Sequence, residues 1–172
     1  SIENAEDSPD QAVRDIQQLS PPVSEIDFVI GITASGTTPY VLGALEWAHA
    51  SGVPTCLMSC NPVTFQNAQQ FIVLNTGPEV LAGSTRLKAG SATKLALNQI
   101  TTGAMARCGH IYEGYMVGVK AVNVKLRDRT IRITAQLLEL PNDEAEQLLE
   151  VADGDIKVAV LMHRHAISNT EA

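Results

Sequence analysis

The sequence predicts an α/β fold built on a parallel sheet, and three observations carry that prediction. Short, continuous apolar runs alternate with helix-like stretches: Phe28-Val29-Ile30-Gly31-Ile32, Val53 to Cys60, and Phe71-Ile72-Val73-Leu74. Strands buried on both faces read as such runs. Hydrophobic residues make up 45% of the 172 residues but aromatics only 4%, so the core is built from Ala, Val, Leu and Ile. That bias suits helices packed closely on a sheet. The first run also ends in small hydroxyl residues and a proline, the pattern of a strand turning directly into a helix.

The elements follow in chain order. Ser8-Pro9-Asp10-Gln11 reads as a helix start, with Ser8 as cap, Pro9 at the first helical position and Gln11 completing a capping box. Ala12, Val13, Ile16 and Leu19 form its apolar stripe, and Ser20-Pro21-Pro22 ends it. After the first strand, Thr33-Ala34-Ser35-Gly36-Thr37-Thr38-Pro39 opens a helix that runs to about Ser51 and stops at Gly52. The second strand closes at Asn61-Pro62, and a loop or short helix leads to the third. From Ser84 or Thr85 to Cys108 the chain reads as one long helix terminated by Gly109. Tyr112 to Ile133 is ambiguous and leans to a helix around Val117 to Leu126 or beyond. Pro141-Asn142-Asp143-Glu144 starts a further helix, capped by Asn142 or Asp143, and Asp155 to His165 forms the last.

Formal net charge is −7, which argues against general binding to nucleic acid or to an anionic membrane. Phosphate binding needs only a few local donors and is compatible with it. Cys56, Cys60 and Cys108 give neither a disulfide framework nor a zinc pattern. The first two are expected on or beside one strand as small buried hydrophobes. His49, His110, His163 and His165 show no metal spacing with carboxylates. No signal peptide or long apolar run is evident, so a cytoplasmic location is the expectation.

Two segments point to a binding site on the residues alone. Ser35, Gly36, Thr37 and Thr38 lie between a strand end and a helix start. Free N–H groups and the helix dipole there favour an anion, and Gly36 permits close approach. No lysine follows the glycine, which excludes a Walker-type nucleotide loop. A sugar phosphate is the expected ligand. Gly77 to Lys94 combines a Gly-Pro-Glu turn at Glu79, hydroxyls at Ser84 and Thr85, and the cations Arg86 and Lys88. By itself this reads equally well as a turn and a solvated face.

The Gly77–Lys94 run resembles the signature of bacterial N-acetylmuramic acid 6-phosphate etherases and the glucokinase regulatory protein, which bind sugar phosphates on sugar-isomerase (SIS) domains. Gly31 to Tyr40 is similar to the etherase Gly-Ile-x-Ala-Ser-Gly-x-Thr-Pro-Tyr segment, with Thr37 where many members carry arginine. Gly52 to Pro62 continues the likeness and puts Ser59 at a second strand end. Glu3-Asn4-Ala5-Glu6-Asp7-Ser8 resembles the family's Glu-Gly-Ala-Glu-Asp-Ser, with Asn4 for glycine. The resemblance implies an SIS-type parallel sheet flanked by helices and followed by a small helical C-terminal element. It implies residues 1–134 as the sugar-phosphate domain and 135–172 as that element. It implies Glu6 as the catalytic acid–base residue, and Ser35, Gly36, Thr37, Thr38, Ser59, Glu79, Ser84 and Thr85 around the substrate.

The implied reaction is cleavage of the D-lactyl ether of N-acetylmuramic acid 6-phosphate. Ring opening acidifies the C2 proton, a base removes it, lactate leaves C3, and water adds to the unsaturated aldehyde. A glutamate base needs burial or positioning to work at neutral pH, and no metal or organic cofactor is required. The family's second glutamate and first phosphate loop lie upstream and are absent here, so the chain is expected to be the later part of a longer protein. Homodimerisation through the long helix is implied. The alternative is a non-catalytic sugar-phosphate-binding regulator, and an aldose–ketose isomerase stands third.

Overall fold

A computed structural model describes residues 4–172. It divides into two compact units, one ending at Leu97 and one beginning at Asn98. In the first unit a short 3-10 turn at Ala5–Asp7 leads into helix α1 (Pro9–Gln17). Strand β1 (Val29–Thr33), helix α2 (Pro39–Ala50) and strands β2 (Thr55–Ser59) and β3 (Gln70–Val73) follow. Helix α3 (Lys88–Arg107) spans the boundary between the units.

The sheet has the order β1-β2-β3 and is parallel throughout, as the apolar runs predict. In its register Thr33 stands beside Ser59 and Ser59 beside Val73, so the carboxyl ends of all three strands lie on one edge. Every residue of the central β2 is buried. Leu45 of α2 packs on Leu57 of β2, both at 0% exposure, and each such burial contributes about 2 kcal/mol. Gly31 permits this approach: a Cβ there would come within 2.7 Å of Leu45 and Val41 side-chain carbons. Cys56 and Cys60 are buried as expected, whereas Cys108 is exposed.

Helix α1 is capped by Ser8, whose Oγ accepts the Gln11 N–H at 3.2 Å. The capping box is only half made. The Gln11 amide donates to Asp15 at 2.7 Å and accepts from Arg14 at 2.8 Å instead of reaching back to Ser8. Pro9 packs against Gly43 of α2, and the Tyr40 hydroxyl donates to Asp15 at 2.8 Å. Helix α1 therefore runs antiparallel to α2. The Asp15 carboxylate, followed by burial, pushes the Tyr40 phenol up.

In the second unit the ambiguous stretch resolves into a hairpin, β4 (Ile111–Tyr112) and β5 (Tyr115–Met116), and the helix leaned to around Val117–Leu126 starts later. Glu113 and Gly114 both take positive φ, 47° and 82°, the conformation a two-residue hairpin turn requires. Helix α4 (Val124–Leu138) is capped by Asn123, whose Oδ1 accepts the Leu126 N–H at 2.9 Å. Helix α5 (Asn142–Val151) has Pro141 at its cap position rather than Asn142 or Asp143. Helix α6 (Ile156–His165) is capped by Asp155 and matches the last helix that the sequence predicts to within one residue. These helices close around Ile133, Leu137, Leu149, Ile156 and Val160. Arg164 ties α6 to the hairpin through the Tyr112 hydroxyl at 2.5 Å and Glu113 at 3.1 Å. Residues 134 and 135, where the sequence places a boundary, both lie inside α4.

Candidate functional site

The carboxyl edge of the sheet is built around Thr33, the last residue of β1. It is 7% exposed, and its hydroxyl meets the Thr38 hydroxyl at 2.7 Å and the Ser35 hydroxyl at 3.2 Å. It also accepts the Gly36 N–H at 3.3 Å. Ser35 Oγ in turn accepts from the Thr37 N–H and the Thr37 hydroxyl, each at 3.2 Å. The loop is thus a small cage of hydroxyls, and its hub, Thr33, is two residues upstream of the set singled out from sequence. The signal for it was its place as the first hydroxyl of the run.

Gly36 has φ of 86°, and an added Cβ would meet Val63 at 2.5 Å; no other residue type fits there. Asn61 braces the loop from the next strand end, donating its amide to the Ala34 carbonyl at 3.1 Å. The Cys60 N–H donates to the same carbonyl at 3.1 Å. A cleft of about 470 Å³ opens beside the loop, lined by Gly36, Thr37, Leu42, Val63, Phe65 and Val73. No side chain caps α2, because the Thr38 hydroxyl is engaged by Thr33. The α2 N-terminus therefore points its dipole toward the strand ends without an intramolecular cap, which is what an anion site requires.

The structure gathers Ser35, Gly36, Thr37 and Thr38 into this one loop. Ser59 lies at the neighbouring strand end but is 2% exposed, and its hydroxyl donates to the Asn61 carbonyl at 2.6 Å. It supports the bracing residue from behind.

The second group is assembled differently from the sequence expectation. Helix α3 begins at Lys88, so neither Ser84 nor Thr85 caps it. The cap is Glu79, whose Oε2 accepts the Lys88 N–H and Oε1 the Ala89 N–H, both at 2.9 Å. These bonds, with Ala89 first and then Lys88, hold the Glu79 carboxyl below the usual glutamate range; the Lys88 charge adds to this and burial opposes it. Ser84, Thr85 and Arg86 sit on the loop between, around a shallow depression with Leu81, Ala82 and Gly83. The α3 start abuts the end of β2: Ala89 is 3% exposed, and its carbonyl oxygen lies 3.8 Å from Cys60 Sγ. A cap nine residues before its helix is invisible to a rule that looks for adjacent Ser, Thr, Asp or Asn.

Glu6 lies in the 3-10 turn and is exposed. With Asp15 on Tyr40 and Pro9 on Gly43, this turn lies beyond Gly43, roughly one helical turn (about 5 Å) or more along α2 from the hydroxyl loop. Among the described residues Glu6 is unburied. Glu3 lies outside the described residues. Among the described residues no cluster of three or more metal-ligating side chains occurs, and no helix is long and apolar enough to cross a membrane.

A parallel α/β sheet with a hydroxyl cage and an uncapped helix N-terminus at its carboxyl edge defines a domain suited to a small phosphorylated ligand. Comparison with known proteins narrows that class. Residues 1–49 match the family described as the glucokinase regulatory protein N-terminal SIS domain. The whole chain is similar to N-acetylmuramic acid 6-phosphate etherase. It is 45% identical over 174 aligned residues to the proteins of Yersinia pestis (strain Pestoides F) and Yersinia pseudotuberculosis serotypes O:1b (strain IP 31758) and O:3 (strain YPIII). The matches cover 100% of this chain and 58% of each relative. The fold is of the SIS type.

Proposed function

We propose that this chain is the sugar-phosphate-binding part of an N-acetylmuramic acid 6-phosphate etherase, a carbon–oxygen lyase of cell-wall sugar recycling in the cytoplasm. The observation that carries this reading is the hydroxyl cage at the uncapped α2 N-terminus, on a chain 45% identical to etherases. The phosphate sits against the α2 N-terminus, taking donors from Ser35, Thr37 and Thr38, with Gly36 allowing approach. Ser84 and Thr85 close the pocket from the α3 side. The unit that ends at Leu97 carries this work, and the unit that begins at Asn98 forms the helical appendage.

Glu6 acts as general base on the C2 proton. The C3–O bond breaks as lactate departs with a proton from a second acid, and water restores the C3 hydroxyl. Glu6 is exposed, so under this reading a second copy of the chain covers it and supplies the acid. Helix α3 supplies the face for a homodimer, with Leu95 61% and Met105 54% exposed.

D-lactate release from N-acetylmuramic acid 6-phosphate tests the enzymatic reading, and calorimetric titration with N-acetylglucosamine 6-phosphate tests the binding site. Release that is lost in Glu6→Gln with binding retained supports the assignment; wild-type release from Glu6→Gln removes Glu6 from the mechanism. A single-chain mass in solution at micromolar concentration overturns the dimer. The second reading, a non-catalytic sugar-phosphate-binding regulator, is favoured by the exposed Glu6 and by the description of the family matched at residues 1–49. Binding without release supports it.

A further inference from the structure

We infer that Glu79 is a positioning residue that latches the segment 80–87 onto the start of α3, and that it reaches the substrate only through that segment. This deepens the proposed binding site and rests on its assignment of Ser84 and Thr85. Both Glu79 oxygens are already engaged, one by the Lys88 N–H and one by the Ala89 N–H. These bonds fix the carboxylate against the α3 start, and an anionic neighbour is unfavourable to a phosphate.

The enclosed segment has little else to hold it. Val80 is 91% and Leu81 65% exposed, so apolar packing does not fix its course. Its hydrogen bonds are local turns, Ser84 N–H to Leu81 at 3.0 Å, Thr85 N–H to Gly83 at 3.2 Å and Leu87 N–H to Ser84 at 3.3 Å, and two at its far end, where the Gly90 and Ser91 N–H groups of α3 donate to the Thr85 and Leu87 carbonyls, each at 3.0 Å. The latch joins its two ends at Glu79 and Lys88, and the far end is anchored because Ala89 is packed beside Cys60. The Gly90 and Ser91 bonds hold the far end of the segment, and the Glu79 carboxylate alone ties its near end to α3, so it helps set where the Ser84 and Thr85 hydroxyls stand relative to the end of β2.

Glu79→Gln is the discriminating variant. It keeps the size of the side chain but offers one oxygen and one NH₂ to two N–H donors, so one bond is lost and a donor faces a donor. Trypsin reads the segment directly at Arg86–Leu87. The latch predicts that Gln speeds this cut about fivefold, the scale of losing a helix cap, while cleavage after Arg127 in α4 is unchanged. Equal rates for wild type and variant at Arg86 overturn the latch, as does equal acceleration at both sites, which is loss of overall stability.

Calorimetry with N-acetylglucosamine 6-phosphate separates this from the binding reading. Weaker affinity of the variant, with wild-type binding protecting Arg86–Leu87, supports positioning of the substrate contacts. Binding by wild type without protection, or with unchanged affinity in the variant, overturns the route from Glu79 to substrate. Absence of binding by wild type overturns the sugar-phosphate reading and with it that route, while the cleavage rates still decide the latch.

Discussion

Thr134 carries the one buried side-chain oxygen without a hydrogen bond among the described residues, at 0% exposure. Its hydroxyl lost water on folding and gained no partner, unlike that of Thr130, which donates to the Arg127 carbonyl at 2.8 Å. Thr134→Val keeps the shape and removes the cost, so it should stabilise the second unit by about 1 kcal/mol, read as a higher unfolding midpoint. Glu79 shows the opposite case, a charge over-satisfied by the backbone. Its folded value lies below its unfolded one. The stabilisation is thus complete above the ordinary glutamate range and is lost as pH falls through the folded value. Cleavage at Arg86–Leu87 by an acid-stable protease should rise in that acidic window in wild type and stay flat in Glu79→Gln. The sequence made Glu79, Ser84 and Thr85 stand out as a group. It did not reveal which of them holds the others, because that depends on a bond across nine residues of chain.

Elements with one dominant local signal were legible. Strands β1 to β3 stood out as apolar runs, α1 by Ser8 as cap and Pro9 at the first position, α2 by Pro39 at the first position, and α6 as the stretch from Asp155 to His165. The β4–β5 hairpin was not, because its turn is Glu113-Gly114 and glutamate is an unusual residue at positive φ. The start of α3 was placed early because Ser84 and Thr85 look like caps. Helix pairing was also hidden, although its determinant is a single residue. Gly43 lets Pro9 approach so closely that an added Cβ would lie 2.6 Å from Pro9 Cβ and 2.8 Å from its Cα. Backbone cannot yield there as a flexible side chain would. Gly43→Ala should cost about 1–3 kcal/mol and displace α1 together with the turn that carries Glu6. Thermal unfolding reads the first effect. Under the proposed chemistry, a larger loss of D-lactate release than of sugar-phosphate affinity reads the second.

On the scale of the whole molecule, the chain holds a three-stranded sheet and spans 58% of the length of the relatives it matches. Both outer strands show apolar side chains to solvent: Ile32 is 39%, Phe71 43% and Val73 43% exposed. Such surface favours association. Phe71→Lys should lower the light-scattering mass at high concentration while leaving the circular dichroism of the helices unchanged. Burial of β2 has a separate, practical result. Cys56 and Cys60 are sealed inside and only Cys108 is open to solvent. A thiol reagent should therefore modify one group per native chain and all three after unfolding. The wild-type sequence thus accepts a single spin or fluorescent label just past the end of α3. In a two-copy assembly that label would report one distance across the pair, with no cysteine removed.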